Sequence, residues 1–167
     1  MAFEFTLEKG DFAESASSNE DNVIILKIGH DIARNVEYSL NCSLSIAIGE
    51  NQSTLEFVFM IIETKPDGTY VSHMMSGLET KGLLTEPEQR TEVLDAVRFS
   101  LQILAENLQP SVINMMTCET NLPRKALMKY DYVFDVLPHL GYDARRGNQQ
   151  LGTHIWIAKR IDQPANV

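Results

Sequence analysis

Between Val36 and Ile48 every second residue is apolar: Val36, Tyr38, Leu40, Cys42, Leu44, Ile46 and Ile48 alternate with Glu37, Ser39, Asn41, Ser43, Ser45 and Ala47. Only a pleated strand sorts a period of two onto two faces, so this stretch commits the chain to a sheet with one apolar and one mostly polar surface. Gly49-Glu50-Asn51-Gln52 supplies residues tolerant of a reversal, after which Leu55, Phe57, Phe59 and Ile61 alternate with Glu56, Val58, Met60 and Ile62. That second strand is apolar on both faces and is expected to be central and doubly buried. Pro66-Asp67-Gly68 gives a tight turn, with Pro presetting φ and Gly free to enter the left-handed region. A third strand, roughly Thr69 to Met75, completes an antiparallel meander.

A loop carrying Gly77 and Gly82 follows, and then Thr85 precedes Glu88 by three residues, a capping-box spacing with Pro87 in the first turn. Val93, Leu94, Val97, Leu101, Leu104 and Leu108 recur at helical steps, with Arg90, Glu92, Asp95, Arg98 and Glu106 mostly outside, until Pro110 ends the pattern. Val112, Ile113, Met115 and Met116 read as another buried strand. Asn121 reads as the cap of a second helix, whose inner face is Ala126, Leu127, Tyr130, Val133, Phe134, Leu137 and Leu140. Pro138 should distort its last turn and Gly141 end it. Thr153 to Lys159 reads as a closing strand, with Ile155 and Ile157 on one face and His154, Trp156 and Ala158 on the other. The fold class is therefore α/β in the α+β sense: a mixed, mainly antiparallel sheet in which a β-meander is followed by α-β-α-β.

At 167 residues and 44% hydrophobic content, the chain is expected to form one domain, residues 1–167, with a buried core. The acidic, serine-rich stretch from Asp11 to Asn22 offers little to bury and reads as a mobile loop after a short Phe3-Phe5-Leu7 strand. Asn22 to Ile28 is a further strand candidate, and Asp31 to Asn35 a helical turn.

A net charge of −9 disfavours a grip on the phosphates of nucleic acid, which are held by Lys and Arg, and suits solubility or a basic protein partner. Neither a leader-like start nor an apolar run near the roughly 20 residues that span a bilayer is present, so a cytoplasmic chain without membrane attachment is expected. Cys42 and Cys118 lie in expected strands without metal-ligand spacing and read as buried thiols. Asn41-Cys42-Ser43 and Asn51-Gln52-Ser53 match glycosylation triplets by chance in such a chain. His30 and His139 have no companion at metal spacing, so no metal site is expected. Arg145-Arg146-Gly147-Asn148 reads as a compact basic turn. Met60, Met74, Met75, Met115 and Met116 read as adaptable core, or as the lining of a sensor pocket.

The order meander, helix, strand, helix, strand, from Val36 to Arg160, resembles that of the GCN5-related N-acetyltransferase family over about three quarters of the chain. The segment from Asn121 through Ala126 and Tyr130 to Leu140-Gly141-Tyr142 is similar to that family's asparagine-led helix closing on a Gly-aromatic pair. The chain departs from the family in three ways. Its helix is longer by about two turns, and Leu137 stands where a tyrosine often serves as general acid. In place of the glycine-rich loop that offers backbone N–H groups to the coenzyme pyrophosphate, it carries the segment from Ser76 to Arg90. Glu79, Glu86 and Glu88 there suit a free helix dipole by about 0.3 to 1 kcal/mol each and oppose a phosphate, with Lys81 and Arg90 compensating in part.

Two functions follow. The first is a non-catalytic binding or regulatory protein on an acetyltransferase-like scaffold, engaging a protein partner and needing no cofactor. The alternative is a divergent acyl-CoA-dependent N-acetyltransferase, in which the resemblance implies acetyl-CoA on Val71, His73, Gly77, Lys81, Gly82, Thr85, Arg90 and Asn121. Glu63, His73 and Glu119 would then be the candidate catalytic bases beside splayed central strands; otherwise they are solvated strand-end residues. An open gap between the third strand and Val112 to Met116 would favour the enzyme, and a closed sheet with an exposed apolar patch the binder.

Overall fold

The computed structural model describes residues 3–8, 12, 22–46, 53–74, 77–117, 122–149 and 152–161. In chain order these contain β1 (Phe3–Phe5), β2 (Val23–Asp31), β3 (Val36–Ile46), β4 (Thr54–Thr64), β5 (Tyr70–Met74), α1 (Gly77–Leu83) and α2 (Pro87–Leu108). They continue with β6 (Val112–Met116), α3 (Arg124–Phe134), a short 3-10 helix (Leu137–Leu140), β7 (Tyr142–Arg146) and β8 (Ile155–Arg160). The strands form one mixed, mainly antiparallel sheet in the order β1-β2-β3-β4-β6-β8-β7, with β5 attached to β4 beside that path. The α+β class and the meander followed by α-β-α-β are as expected. No helix among the described residues is long and apolar enough to cross a membrane.

The sheet turns on the two edges of β4. β3 pairs along one edge from Leu55 to Thr64. The opposite edge is divided: β6 takes Thr54 to Glu56 in parallel, and β5 takes Met60 to Thr64 antiparallel. Phe57, Val58 and Phe59 lie between the two and pair with β3 alone. The hairpin that returns β5 is locked locally. Gly68 adopts φ 80° and its N–H donates to Lys65 O, while the Asp67 carboxylate accepts from both the N–H and the hydroxyl of Thr69. A parallel neighbour instead needs a crossover, which α2 supplies with 22 residues, about 33 Å of helix. The open gap between the third strand and Val112 to Met116 that would favour an enzyme thus takes a different form. β6 leaves β4 after Glu56, and β5 occupies the far part of the same edge.

Helices cover one face. The register puts Tyr38, Leu40, Cys42 and Leu44 beside Glu63, Ile61, Phe59 and Phe57, and α2 packs there through Val93, Ala96, Val97, Leu101, Leu104 and Ala105. Trp156 and Ala158 extend this face on β8, and Ile155 and Ile157 point the other way, as expected. On the opposite face Val58, Met60 and Ile62 are only partly buried, which corrects the expectation of a doubly buried strand: no described helix lies over them.

Other expectations shift at element ends. The segment with Gly77 and Gly82 is helical in α1 rather than a loop. The capping box does not form, because Glu86 takes the cap position, makes no side-chain cap hydrogen bond, and leaves Glu88 one position too early. α3 begins at Arg124 after Pro123, later than a cap at Asn121 requires. Pro138 and Gly141 behave as expected: the helix gives way to the 3-10 turn, and Gly141 closes it at φ 83°. Arg145 and Arg146 belong to β7 rather than a turn, since β7 pairs with β8 throughout. Ile32 to Asn35 forms the expected turn, and β2 runs on to Asp31. Cys118, the Gly49–Gln52 reversal and most of the 11–22 stretch lie outside the described residues.

Gly29 faces the outermost strand at a register shift in β2. A Cβ there would stand 2.4 Å from Glu4 O and 2.7 Å from the Phe3 ring. Gly29→Ala should therefore lower the unfolding free energy by about 1–3 kcal/mol, read as a lower urea midpoint at unchanged slope.

Cys42 is fully buried under α2, and burial pushes its thiol up to about 12, opposed by the Ser100 hydroxyl. A raised value means that its contribution to stability is intact below about pH 9 and is lost as pH rises toward 12. Burial likewise raises the Tyr38 and Tyr142 phenols. Urea titrations should show stability falling above pH 9 and more steeply above about 10, with the first part of the fall absent in Cys42→Ala.

Candidate functional site

Where β6 departs from β4, a cleft of about 230 Å³ opens on the helical face, between α1, the start of α2 and α3. Phe59 forms part of its floor, from the stretch of β4 that has only one strand neighbour. Leu84, Leu94 and Tyr130 continue the apolar wall, and Lys81, Arg90 and Lys129 bring three cations. Among the described residues no carboxylate lines it. Glu86 and Glu88, expected to guard this helix start against an anion, stand exposed outside the lining.

Each cation is set by its element. Arg90, in the first turns of α2, sends Nη1 to the carbonyls of Leu84 and Thr85 at 2.6 Å each, and so ties down the link between the helices. Lys81 lies in the last turn of α1. Lys129 stands four residues after Lys125 on α3, on the same helix face. Burial, and then the like charges of Lys81, Arg90 and Lys125, hold its ammonium below the ordinary lysine value. Among the described residues Lys81, Arg90 and Lys129 have no ion-pair partner. The Thr80 hydroxyl, also on the lining, is buried without a hydrogen-bond partner.

α3 is held over the cleft by an aromatic file and one carboxylate. Tyr130 stacks on Trp156 at 5.1 Å and 21° and meets Phe59 at 6.1 Å. Asp131 accepts from Trp156 Nε1 at 2.8 Å and pairs with Arg146, whose guanidinium lies 5.3 Å from the Trp156 ring centre. His154 adds a tilted ring contact with Trp156 at 6.5 Å.

The residues named from sequence divide between this cleft and elsewhere. Lys81 and Arg90 come together on it. Gly82 and Thr85 adjoin them in the α1–α2 link, Thr85 through its carbonyl, and Gly77 starts α1. Val71 sits on β5 opposite Glu63, and His73 opposite Ile61. Glu63 is buried and engaged: Arg34 Nη2 reaches one oxygen at 2.6 Å, and the Tyr38 hydroxyl donates to the other at 3.2 Å. Glu119 and Asn121 lie outside the described residues. Lys129, Thr80 and the aromatic floor went unnamed as site residues; the Lys125–Lys129 spacing, two like charges on one helix face, was the available signal. The described residues hold no group of three or more His, Cys, Asp or Glu able to bind a metal.

Removing the Asp131 carboxylate orphans the N–H of a buried tryptophan. Asp131→Ala should destabilise by about 1–3 kcal/mol in denaturant titrations, and Asp131→Asn, which keeps an acceptor for Trp156, by less.

Compared with known proteins, the chain matches no family model, and neither a curated sequence nor a solved structure is significantly similar to it.

Proposed function

We propose that this chain is a non-catalytic binding or regulatory protein on an acetyltransferase-like scaffold, engaging a protein partner. The observation that carries this reading is the pairing of β5 with Met60 to Thr64. In the family that the element order resembles, a coenzyme is held beside splayed central strands. Here the chain's own strand hydrogen-bonds along the edge that the splay exposes, so the backbone groups available to a ligand on β4 reduce to the short stretch Phe57 to Phe59.

Three further observations support it. Pro87 at the start of α2 removes one amide donor from the helix end that would face a pyrophosphate. Glu63, a base in the enzymatic reading, is already bound by Arg34 and Tyr38. The face of the sheet without described helices carries Val58, Met60 and Ile62 on β4 and Ile155 and Ile157 on β8, with Met116 45% exposed between them. Apolar side chains gathered on one open sheet face suit a protein partner. A reducing, cytoplasmic setting belongs to the same proposal and fits the free, buried Cys42.

A divergent N-acyltransferase is the second reading, favoured by Lys81 and Arg90 at the start of α2. Thermal-shift titration with acetyl-CoA and coenzyme A separates the two. The midpoint should stay flat at about 1 mM ligand. A saturable rise with either ligand, abolished by Lys81→Glu, overturns the binding-protein reading and establishes coenzyme recognition.

A further inference from the structure

Among the described residues, four cations elsewhere are matched to carboxylates. Lys27 meets Glu37 at 2.7 Å, Arg34 meets Glu63 at 2.6 Å, Arg98 meets Asp135 at 3.8 Å, and Arg146 meets Asp131. On a chain with 23 acidic and 14 basic residues, such matching is easily satisfied. The cleft beside β4 gathers three others. Lys81, Arg90 and Lys129 share it with each other and with no carboxylate among the described residues, although placing like charges around a partly desolvated space is unfavourable. The arrangement becomes favourable when an anion enters, because each cation then gains a charge-assisted partner.

We propose that this cleft is a binding site for a small organic anion: one phosphate or carboxylate group on a short aromatic or acyl body. The anionic group meets Lys129, Lys81 and the outer nitrogens of Arg90, whose Nη1 is committed to the α1–α2 link. The Thr80 hydroxyl, buried and without a partner, supplies a neutral donor. The body rests on Phe59, Leu84, Leu94 and Tyr130. Volume limits the ligand. The cleft's 230 Å³ lies below the roughly 300 Å³ at which sites for drug-sized ligands begin, and β5 closes the edge along which a longer molecule would extend. Inorganic phosphate alone would leave the apolar wall unused. The inference stands whether or not the chain also engages a protein partner, and it gives such a partner's grip a means of control, since α1, α2 and α3 all meet at the cleft.

The test is a thermal-shift titration of the full chain at low salt with phenyl phosphate, benzoate, phenol and inorganic phosphate, repeated on Lys129→Met and Lys81→Met. The two anionic aromatics distinguish a phosphate from a carboxylate head. A saturable rise with phenyl phosphate or benzoate, none with phenol, and at least about a tenfold weaker apparent affinity in Lys129→Met supports the site. Both substituted side chains are exposed and replaced by apolar stems of similar length, so both variants should fold. The unliganded midpoint of Lys129→Met should be no lower than that of the wild type, because a repelled charge is removed. The proposal is overturned if neither aromatic anion shifts the midpoint at about 10 mM, if both lysine variants bind as tightly as the wild type, or if inorganic phosphate binds as well as phenyl phosphate. Coenzyme A is titrated in parallel: a flat response to it beside a rise with phenyl phosphate or benzoate overturns the acyltransferase reading and leaves the anion site standing, so the two failures are distinguishable.

Discussion

A strand has two edges, and the second edge of β4 is shared between two partners that run in opposite directions. Almost everything specific to this protein descends from that division. Because β6 is parallel to β4, the chain must cross the sheet between them, and α2 is the crossover. Because β5 arrives first, through a tight hairpin, β6 can pair only with the opening residues of β4 before the two diverge. Divergence leaves Phe57 to Phe59 with one strand neighbour, and Phe59 becomes the floor of a cleft instead of the middle of a core. A sheet in which β6 ran the whole length of β4 would have no such opening.

The space created there is kept open by side chains that hold α3 at a fixed height. Trp156 is large and buried, and its indole N–H needs an acceptor; Asp131 provides it and is itself neutralised by Arg146. Stacking of Tyr130 on Trp156 sets the side of α3 that faces the cleft, and Lys129, the neighbouring residue, is carried to its rim. The geometry of the cation cluster therefore depends on a hydrogen bond made on the far side of the helix. Packing between rigid aromatic rings transmits position well, because a stacked pair tolerates little displacement before contact is lost.

Elements with strong periodicity were legible in the sequence: β3 from strict alternation, α2 from its Val93, Val97, Leu101 and Leu104 stripe, and the hairpin from Pro66-Asp67-Gly68. β7 was not, because Tyr142 to Arg146 is a short strand with little apolar alternation, held by pairing with β8 rather than by propensity. α1 was hidden for a related reason. Two glycines in Gly77–Leu83 argue against a helix, and the segment takes that form beside Arg90, which binds the carbonyls just after it. Half of the cleft was legible as well: Lys81 and Arg90 stood out as cations near a helix start. Lys129 did not stand out, since its meeting with Lys81 depends on where α3 docks, and periodicity within one helix carries no information about that. The doubly apolar pattern of β4 misled in the opposite way: Val58, Met60 and Ile62 signal burial, yet no described helix covers them. The described fold leaves that apolar face only partly covered.

Charge distribution sharpens the same point. On a chain with a net charge of −9, cations are scarce, and electrostatics alone would spread them among the carboxylates. Three of them instead converge where no described carboxylate lines the wall, and one is held partly desolvated among the rest. The neighbouring carboxylates, Glu86 and Glu88, face solvent at the helix start, where they suit the dipole without neutralising the cluster. Arg90 ties down the α1–α2 link, but among the described residues the two lysines gain no ion pair from their placement, and burial and like charges hold Lys129 below the ordinary lysine value. Cations gathered beside an apolar wall suit a ligand of opposite charge, which returns on binding the cost of holding Lys129 among its like-charged neighbours.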